Sequence, residues 1–236
     1  LPHPDGHRSS CLAVVNRGGM SNSLIAVASQ HASDRHAARE IRLTELRGER
    51  GDVPTELRTL LLPAAIRCMA FCGERYLCVA HDDEYVLLSL SSGRVRELFR
   101  FTPGFGSPYL RRLSPNELLL VQPPPRPGER QLGIFLDRKG QVARRSTAYW
   151  RRPPLACLAR GRARVTILPN AIEIAHPVHS PSGPQSLPFP EPRGADDGGD
   201  LLLVASCDAV YALIPPTMVE REGTSEAESC SVISDV

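Results

Sequence analysis

The feature that most constrains this chain is the repetition of short apolar runs bounded by Gly, Pro, Asn and Asp along nearly its whole length. Residues 75–80 (RYLCVA) and 84–90 (EYVLLSL) form the clearest pair. The polar tripeptide HDD separates them, and a Ser-Ser-Gly turn leads to a third run, RVRELFRF. Alternating or fully apolar runs of this length predict β-strands, and adjacent runs joined by short turns predict an antiparallel meander. Helical periodicity is scarce, so we expect an all-β protein.

Similar units recur downstream, as NELLLV with QLGIFLD, ARVTILP with NAIEIAHP, and DLLLVAS with AVYALIP. The first members of the units begin near residues 24, 76, 117, 164 and 201. These intervals fall roughly in the range of propeller blades, about 40 to 50 residues. A four-stranded sheet with two apolar faces buries both by stacking radially between neighbouring sheets. About five blades are visible, and we predict a β-propeller, with a sandwich or a barrel as alternatives.

Two segments interrupt the pattern and are expected to be exposed and mobile. They are the Pro-rich residues 123–131 and the Pro/Ser/Gly-rich residues 179–200. Residues 218–236 carry five acids against one arginine, so this tail has a charge of −4 while the whole chain has +2. Its low apolar content predicts disorder. We therefore expect a propeller domain over residues 11–216 and an acidic disordered tail over residues 217–236.

Composition narrows the class of protein further. The longest apolar runs, residues 60–66 and 200–205, are far shorter than the 18 to 20 or so residues of a bilayer-spanning helix. The seven cysteines are an odd number without a CxxC pair, which favours reduced, buried thiols in a reducing cytosol. The chain begins at Leu1 rather than methionine, so we expect its natural N-terminus to be missing.

No phosphate-binding GxxxxGK, HExxH or GxSxG motif is present, and no cofactor is predicted. Residues 81–84 (HDDE) combine a histidine with carboxylates, but polar residues are ordinary at a tight turn between strands. Asp196, Asp197 and Asp200 lack the spacing of a calcium loop and are interpreted as a solvated loop. His176 and His179 have no third ligand nearby in sequence, so a zinc site is not predicted.

One stretch stands out by charge, because residues 138–164 contain basic side chains and no acid. Guanidinium groups suit carboxylate or phosphate partners, so an acidic protein surface or an anionic lipid headgroup is a candidate ligand. An ordinary solvated face is the alternative interpretation. Aromatic residues do not interleave as a nucleic-acid platform requires, so no nucleic acid is predicted. The candidate basic interaction surface comprises Arg138, Lys139, Arg144, Arg145, Arg151, Arg152, Arg160, Arg162 and Arg164.

The order of several short motifs resembles the citron homology (CNH) domain, in the version found in the Vam6/Vps39 and transforming growth factor beta receptor-associated family of endosomal tethering subunits. An EY pair leads through a Ser-Gly turn to an ELF strand; farther on, a Gly-x-Phe strand, a glycine turn and a tryptophan precede a proline. Serine replaces the family's usual threonine in the first turn. The residues that carry the resemblance are Glu84, Tyr85, Ser92, Gly93, Glu97, Leu98, Phe99, Gly133, Phe135, Gly140, Trp150 and Pro154.

The resemblance covers roughly residues 11–216. It implies a propeller of about seven blades, more than the five that the strand pattern shows, so either the N-terminal blades are absent from this chain or the strand pattern does not reveal them. It also implies binding of a Rab-type GTPase or a receptor cytoplasmic segment, association with tethering-complex subunits, and a peripheral place on endosomal or lysosomal membranes. Family members continue into a helical solenoid, whereas this sequence ends in the acidic tail.

Two alternatives remain open from the sequence. The first is a CNH scaffold in kinase or small-GTPase exchange signalling, which would also bind without turnover. The second is a propeller hydrolase or lyase, which would need several carboxylates or histidines to converge at one mouth of the central channel. A non-enzymatic interaction domain in vesicle tethering is the leading hypothesis.

Overall fold

The structure is a computed structural model, and its described part is all-β, with twenty strands and no helix. None of the described residues forms a helix of the length and apolarity that crossing a membrane requires. The structure describes residues 7–16, 23–31, 39–46, 54–102, 107–143, 148–160, 163–175, 184–198, 201–213 and 232–233.

The strands form five four-stranded antiparallel sheets, three of which lie in a first compact unit, Leu1–Arg151. Sheet 1 contains β1 (His7–Asn16), β2 (Ser23–His31), β3 (Glu40–Leu46) and β4 (Thr55–Leu61). Sheet 2 contains β5 (Cys68–Cys72), β6 (Tyr76–Ala80), β7 (Glu84–Ser89) and β8 (Val95–Arg100). Sheet 3 contains β9 (Tyr109–Ser114), β10 (Glu117–Gln122), β11 (Gln131–Asp137) and β12 (Ala148–Trp150).

The second unit, Arg152–Val236, contains the other two sheets. Sheet 4 contains β13 (Ala156–Arg160), β14 (Ala163–Leu168), β15 (Ala171–Ala175) and β16 (Gln185–Pro188). Sheet 5 contains β17 (Gly194–Gly198), β18 (Leu201–Ala205), β19 (Val210–Leu213) and β20 (Val232–Ile233). In every sheet the strands follow one another in sequence order.

The predicted repeat is confirmed. The strand that opens each predicted unit is the second strand of a sheet, and one further strand precedes it in every sheet. These second strands are β2, β6, β10, β14 and β18. The predicted third run of sheet 2, RVRELFRF, contains β8. The fourth strands β4, β8 and β16 are largely exposed, so their apolar sequence signal is weaker.

In sheet 2, the central strands β6 and β7 are apolar at consecutive positions rather than at alternate ones. Leu77 and Val79 of β6 belong to a core cluster shared with sheet 1. Cys78 and Ala80, which point to the other face, belong to a second cluster shared with sheet 3. Because β6 is buried on both faces, its interior positions are all apolar. In the second unit a third cluster joins sheets 4 and 5.

The expectation of an exposed insertion over residues 179–200 is wrong in part, since this segment supplies two strands, β16 and β17. Asp196 and Asp197, interpreted as loop residues, lie in β17. Both strands are at sheet edges, where proline and glycine are tolerated because one side makes no ladder hydrogen bonds. Phe189, which directly follows β16, is buried and anchors the segment in the core.

The Pro-rich insertion at 123–131 follows its prediction more closely, because residues 125–130 are exposed while Pro123 and Pro124 are buried. In the tail, Val232–Ile233 forms β20 and pairs with β19, so disorder does not extend over these two residues. The division into domains at residue 217 stays a prediction, as residues 214–231 and 234–236 lie outside the described part. His176, His179 and Asp200 lie outside it as well.

Candidate interaction surface

Tyr85, of the EY pair, ties sheet 2 to sheet 3. Its ring is fully buried, and its hydroxyl donates a hydrogen bond to the carbonyl oxygen of Val121 at 2.5 Å. The same hydroxyl accepts one from the backbone N–H of Tyr109 at 3.0 Å. Burial raises the pKa of the phenol far above its ordinary value, so the group stays protonated as the bridge requires. This motif position is therefore structural.

Trp150 has a packing role as well. Only 3% of its surface is exposed, and its ring lies against Gly133 of the neighbouring strand. A Cβ atom on Gly133 would lie 2.5 Å from the Trp150 ring, which no side chain allows. The glycine and the tryptophan of the family motif thus form one packing pair, and Trp150 is not an exposed anchor for a partner.

Two turns of the motif contain glycines in the left-handed region, Gly93 (φ 70°) and Gly140 (φ 72°). Each turn joins the third and fourth strands of its sheet, and each is braced by an arginine from the outer strand of the preceding sheet. Arg58 of β4 donates to the carbonyl oxygens of Leu90 and Ser91 at 3.5 and 3.3 Å.

Arg96 of β8 repeats this arrangement one sheet later. It donates to the carbonyl oxygens of Lys139 and Gly140 at 3.4 and 3.3 Å. Sequence reasoning missed both bracing arginines. The only signal for them is the repeat itself, in which a basic residue of one outer strand precedes the glycine turn of the next unit.

The predicted basic residues Arg138 and Lys139 lie in the second of these turns, at the end of β11, with exposed side chains. The Oδ1 of Asp137 accepts hydrogen bonds from the backbone N–H groups of Lys139 and Gln141 at 2.8 and 2.9 Å. The thiol of Cys72 donates to the carbonyl oxygen of Asp137 at 2.9 Å. Several hydrogen bonds therefore fix the backbone from which the two cationic side chains project.

The other predicted basic residues are distributed differently. Arg151 directly follows β12 and is exposed, and Arg152, which opens the second unit, is exposed too. Arg160 and Arg164 are half-buried on the adjacent strands β13 and β14, with part of each guanidinium shielded from solvent. Arg144, Arg145 and Arg162 lie outside the described residues.

Within the first unit, the described basic residues of this set lie at opposite ends of β11. Arg138 and Lys139 follow the end of β11, whereas Arg151 lies beside its start, because Trp150 pairs with Gln131. A seven-residue strand is about 20 Å long, so the two positions form separate basic regions. Whether any of these residues bind a partner stays a prediction.

The HDDE turn is structural in each of its contacts. His81 is buried, and its Nδ1 lies 2.8 Å from the carbonyl oxygen of Ala65. Asp82 forms two hydrogen bonds with the guanidinium of Arg67, at 2.6 and 3.0 Å. This pairing lowers the pKa of Asp82 and raises the pKa of Arg67. Among the residues that the structure describes, no three His, Cys, Asp or Glu side chains are grouped as metal ligands.

Three cysteines of sheet 2 behave as core residues. Burial is the main cause that raises the pKa of Cys68 to about 12 and that of Cys72 to about 11, and it raises the pKa of Cys78 well above its ordinary value. These thiols stay protonated at neutral pH and are poor nucleophiles. The interpretation of these cysteines as small apolar residues agrees with this placement.

The chain is similar in sequence to two groups of curated proteins. It is 24% identical to vacuolar sorting protein 39 of Arabidopsis thaliana over 182 residues, which is 75% of this chain. It is 27% identical to transforming growth factor-beta receptor-associated protein 1 of Bos taurus over 146 residues, which is 62% of this chain. The matches span only 17% and 16% of those proteins. No family model matches the chain.

Solved structures with a similar fold are β-propeller domains of low sequence identity. The AfRom2 CNH domain matches with a TM-score of 0.53 and 16% identity, covering 88% of this chain and 63% of that one. The WD40 domain of Neurospora crassa Pan2 matches with a TM-score of 0.55 and 12% identity, covering 86% and 61%. The fold is therefore an all-β propeller fold. Together with the sequence matches, it confirms the resemblance of this chain to the CNH domain of the Vps39 and transforming growth factor-beta receptor-associated family.

Proposed function

We propose that this chain is a non-enzymatic protein-interaction domain in endosomal or lysosomal vesicle tethering. It would recruit a Rab-type GTPase or a receptor cytoplasmic segment and act peripherally on the membrane with other tethering subunits. The observation that carries the proposal is the sequence similarity to vacuolar sorting protein 39 and transforming growth factor-beta receptor-associated protein 1. The chain spans about a sixth of the length of these relatives, so it would supply one binding module of a longer assembly.

The placement of the motif residues supports a binding role. Tyr85, Gly133 and Trp150 are used for packing between and within sheets. In the HDDE turn, His81 contacts the carbonyl oxygen of Ala65 and Asp82 pairs with Arg67. The accessible positions include turns between the strands, and turns on a scaffold of packed sheets are where propellers and similar folds bind partners.

The turn with Arg138 and Lys139 is the region that we propose for the GTPase. Its two cations are exposed, and its backbone is held by Asp137, Cys72 and Arg96. Charges on a fixed backbone lose little conformational freedom on binding beyond that of their own side chains. An acidic face of a partner would be attracted to them, with a rate of association that falls as salt increases.

The test is a binding assay with purified Rab proteins of early and late endosomes, each loaded with a GTP analogue or with GDP. The immobilised full chain should retain the GTP-analogue form of one of them in preference to its GDP form. The charge reversal R138E/K139E should reduce retention by about tenfold or more. The matched control is R75E/R94E, which reverses two exposed charges in other turns of the first unit.

Retention of neither nucleotide form by the folded chain would contradict the GTPase proposal and favour the signalling-scaffold alternative. Equal losses in the two double variants would contradict the placement at the Arg138 turn, because they would report a general effect of charge. Binding that persists in R138E/K139E would keep the GTPase but move its site to another face.

A further inference from the structure

A second basic region, formed by Arg130 and Arg151, lies at the start of β11. Arg130 directly precedes β11 and Arg151 directly follows β12, and the ladder between these strands pairs Gln131 with Trp150. Continued by one position, this register sets the two arginines opposite each other. Two like charges are thereby placed against each other at the end of the ladder, an arrangement that is unfavourable without a ligand of opposite charge.

Neither arginine of this pair has an ion-pair partner among the residues that the structure describes, and both are exposed. Elsewhere in the first unit, exposed arginines such as Arg67 and Arg100 have carboxylates within 4 Å. Both arginines line one groove, so an anion bound there would meet two positive charges. The local electrostatics therefore favour a ligand with negative charge.

Tyr149 lines the same groove as the two arginines. It belongs to β12, two residues before Arg151, which directly follows that strand, and 57% of the Tyr149 surface is exposed. Tyr149, Arg130 and Arg151 line an open groove together with Gly128 and Glu129. Glu129 supplies one negative charge against two positive ones, so the groove stays cationic.

The groove lies beside the edge strand of sheet 3. β12 is the last strand of sheet 3 and pairs only with β11 among the described strands. No described strand pairs with its outer side, which is the side that an added strand would use. An extended peptide can bind such an edge through main-chain hydrogen bonds, while side chains at alternate positions meet one face.

We propose that this groove binds an acidic, extended segment of a partner protein, which adds alongside β12. Acids two positions apart in that segment would share a face and would lie near Arg151 and Arg130, with the Tyr149 ring packed beside them. The proposal goes beyond the GTPase role and does not depend on it. It concerns a different end of β11 and would hold for an acidic partner in any pathway.

A peptide fits these observations better than a membrane surface does. A lipid surface is bound by a broad array of four or more cations, and each adds about 1 kcal/mol. Here two arginines form a narrow groove that also contains the carboxylate of Glu129. An open strand edge adds directional hydrogen bonds that a headgroup layer does not use.

The experiment measures fluorescence anisotropy of two labelled peptides with the full chain. One peptide alternates Glu with Ser; the other has the same composition with its acids in adjacent blocks. The alternating peptide should bind several-fold more tightly, and its affinity should fall with salt. R130E/R151E should weaken its binding by about tenfold or more. R138E/K139E, with the same charge change at the other end of β11, should leave binding within about twofold, since it lies beyond a Debye length.

Single variants keep the test independent of folding. E129Q should strengthen binding about twofold or more because it removes the one opposing charge. Y149A should weaken binding, whereas Y149F should retain most of it if the ring acts by packing. Equal affinity for the two peptides, or equal losses in the two double variants, would overturn the proposal. So would binding of vesicles of phosphatidylcholine and phosphatidylserine without binding of either peptide.

Discussion

The two ends of β11 contain similar residues in opposite surroundings. Each end has exposed basic side chains and a nearby glycine with positive φ, Gly140 (72°) at one end and Gly128 (83°) at the other. A Cβ atom on Gly140 would lie 2.5 Å from Leu87, whereas a Cβ on Gly128 would meet nothing within 4 Å. The Gly140 end of β11 therefore packs against neighbouring side chains, whereas Gly128 at the other end has open space beside it.

The difference separates two uses of arginine in this chain. At the Gly140 end, Arg96 is engaged with backbone carbonyls, and Arg138 and Lys139 project from a turn that their neighbours fix. At the Gly128 end, Arg130 and Arg151 face each other without a carboxylate partner in the described part of the chain. A count of basic residues along the sequence does not distinguish a bracing arginine from one that is available to a ligand.

The largest expected effect is on the two glycines. Gly140→Ala should lower the free energy of unfolding by about 2 to 4 kcal/mol, since it combines a disfavoured φ with a clash against Leu87. Gly128→Ala should cost only about 1 kcal/mol, because the backbone conformation is its sole penalty. Urea unfolding of the two variants measures the difference. Equal losses would show that the two ends do not differ in packing.

A smaller effect is expected at Asp137, whose Oδ1 accepts two backbone hydrogen bonds in the Gly140 turn. Asp137→Ala should cost about 1 to 2 kcal/mol, because two turn N–H groups lose their acceptor. Asp137→Asn keeps an Oδ1 acceptor and should retain most of the stability. If Asn and Ala variants unfold at the same urea concentration, the carboxylate's charge rather than its hydrogen bonds holds the turn.

The smallest effects compare single arginines at the two ends. Arg96→Ala should cost about 0.5 to 1 kcal/mol, since its hydrogen bonds to Lys139 and Gly140 are long. Arg130→Ala should leave stability unchanged or raise it by a few tenths of a kcal/mol, because it relieves repulsion with Arg151. Thermal unfolding at low salt gives the sign of each change. A clear loss in Arg130→Ala would contradict the view that this arginine is free of structural contacts.

The fold could be predicted because its central strands are buried on both faces. Runs such as those of β6, β10 and β14 are apolar and regularly spaced, and they identify five repeated units. The edge strands β16 and β17 were missed because edge positions tolerate the proline and glycine that otherwise indicate loops. Local composition thus predicts the middle of each sheet better than its margins.

The candidate surface was harder to predict, since its contacts are distant in sequence. The acid-free stretch begins at Arg138 and therefore leaves out Arg130, which becomes a neighbour of Arg151 only through the pairing of β11 with β12. The bracing arginines are equally hard to identify from the sequence, because Arg58 and Leu90 are 32 positions apart and Arg96 and Lys139 are 43 positions apart. No local pattern indicates such contacts, because each arginine reaches a turn of the next sheet along the chain.

Hydrogen–deuterium exchange of the full chain, alone and with the alternating acidic peptide, tests the contrast between the two ends most directly. The amides of Lys139, Gly140 and Gln141, which are hydrogen-bonded in the turn, should exchange slowly in both samples. Residues 125–130 should exchange rapidly in the free chain, and the peptide should slow exchange in 128–132 and 148–151. Fast exchange at Gly140, or peptide protection at the Gly140 turn instead of the groove, would contradict the account.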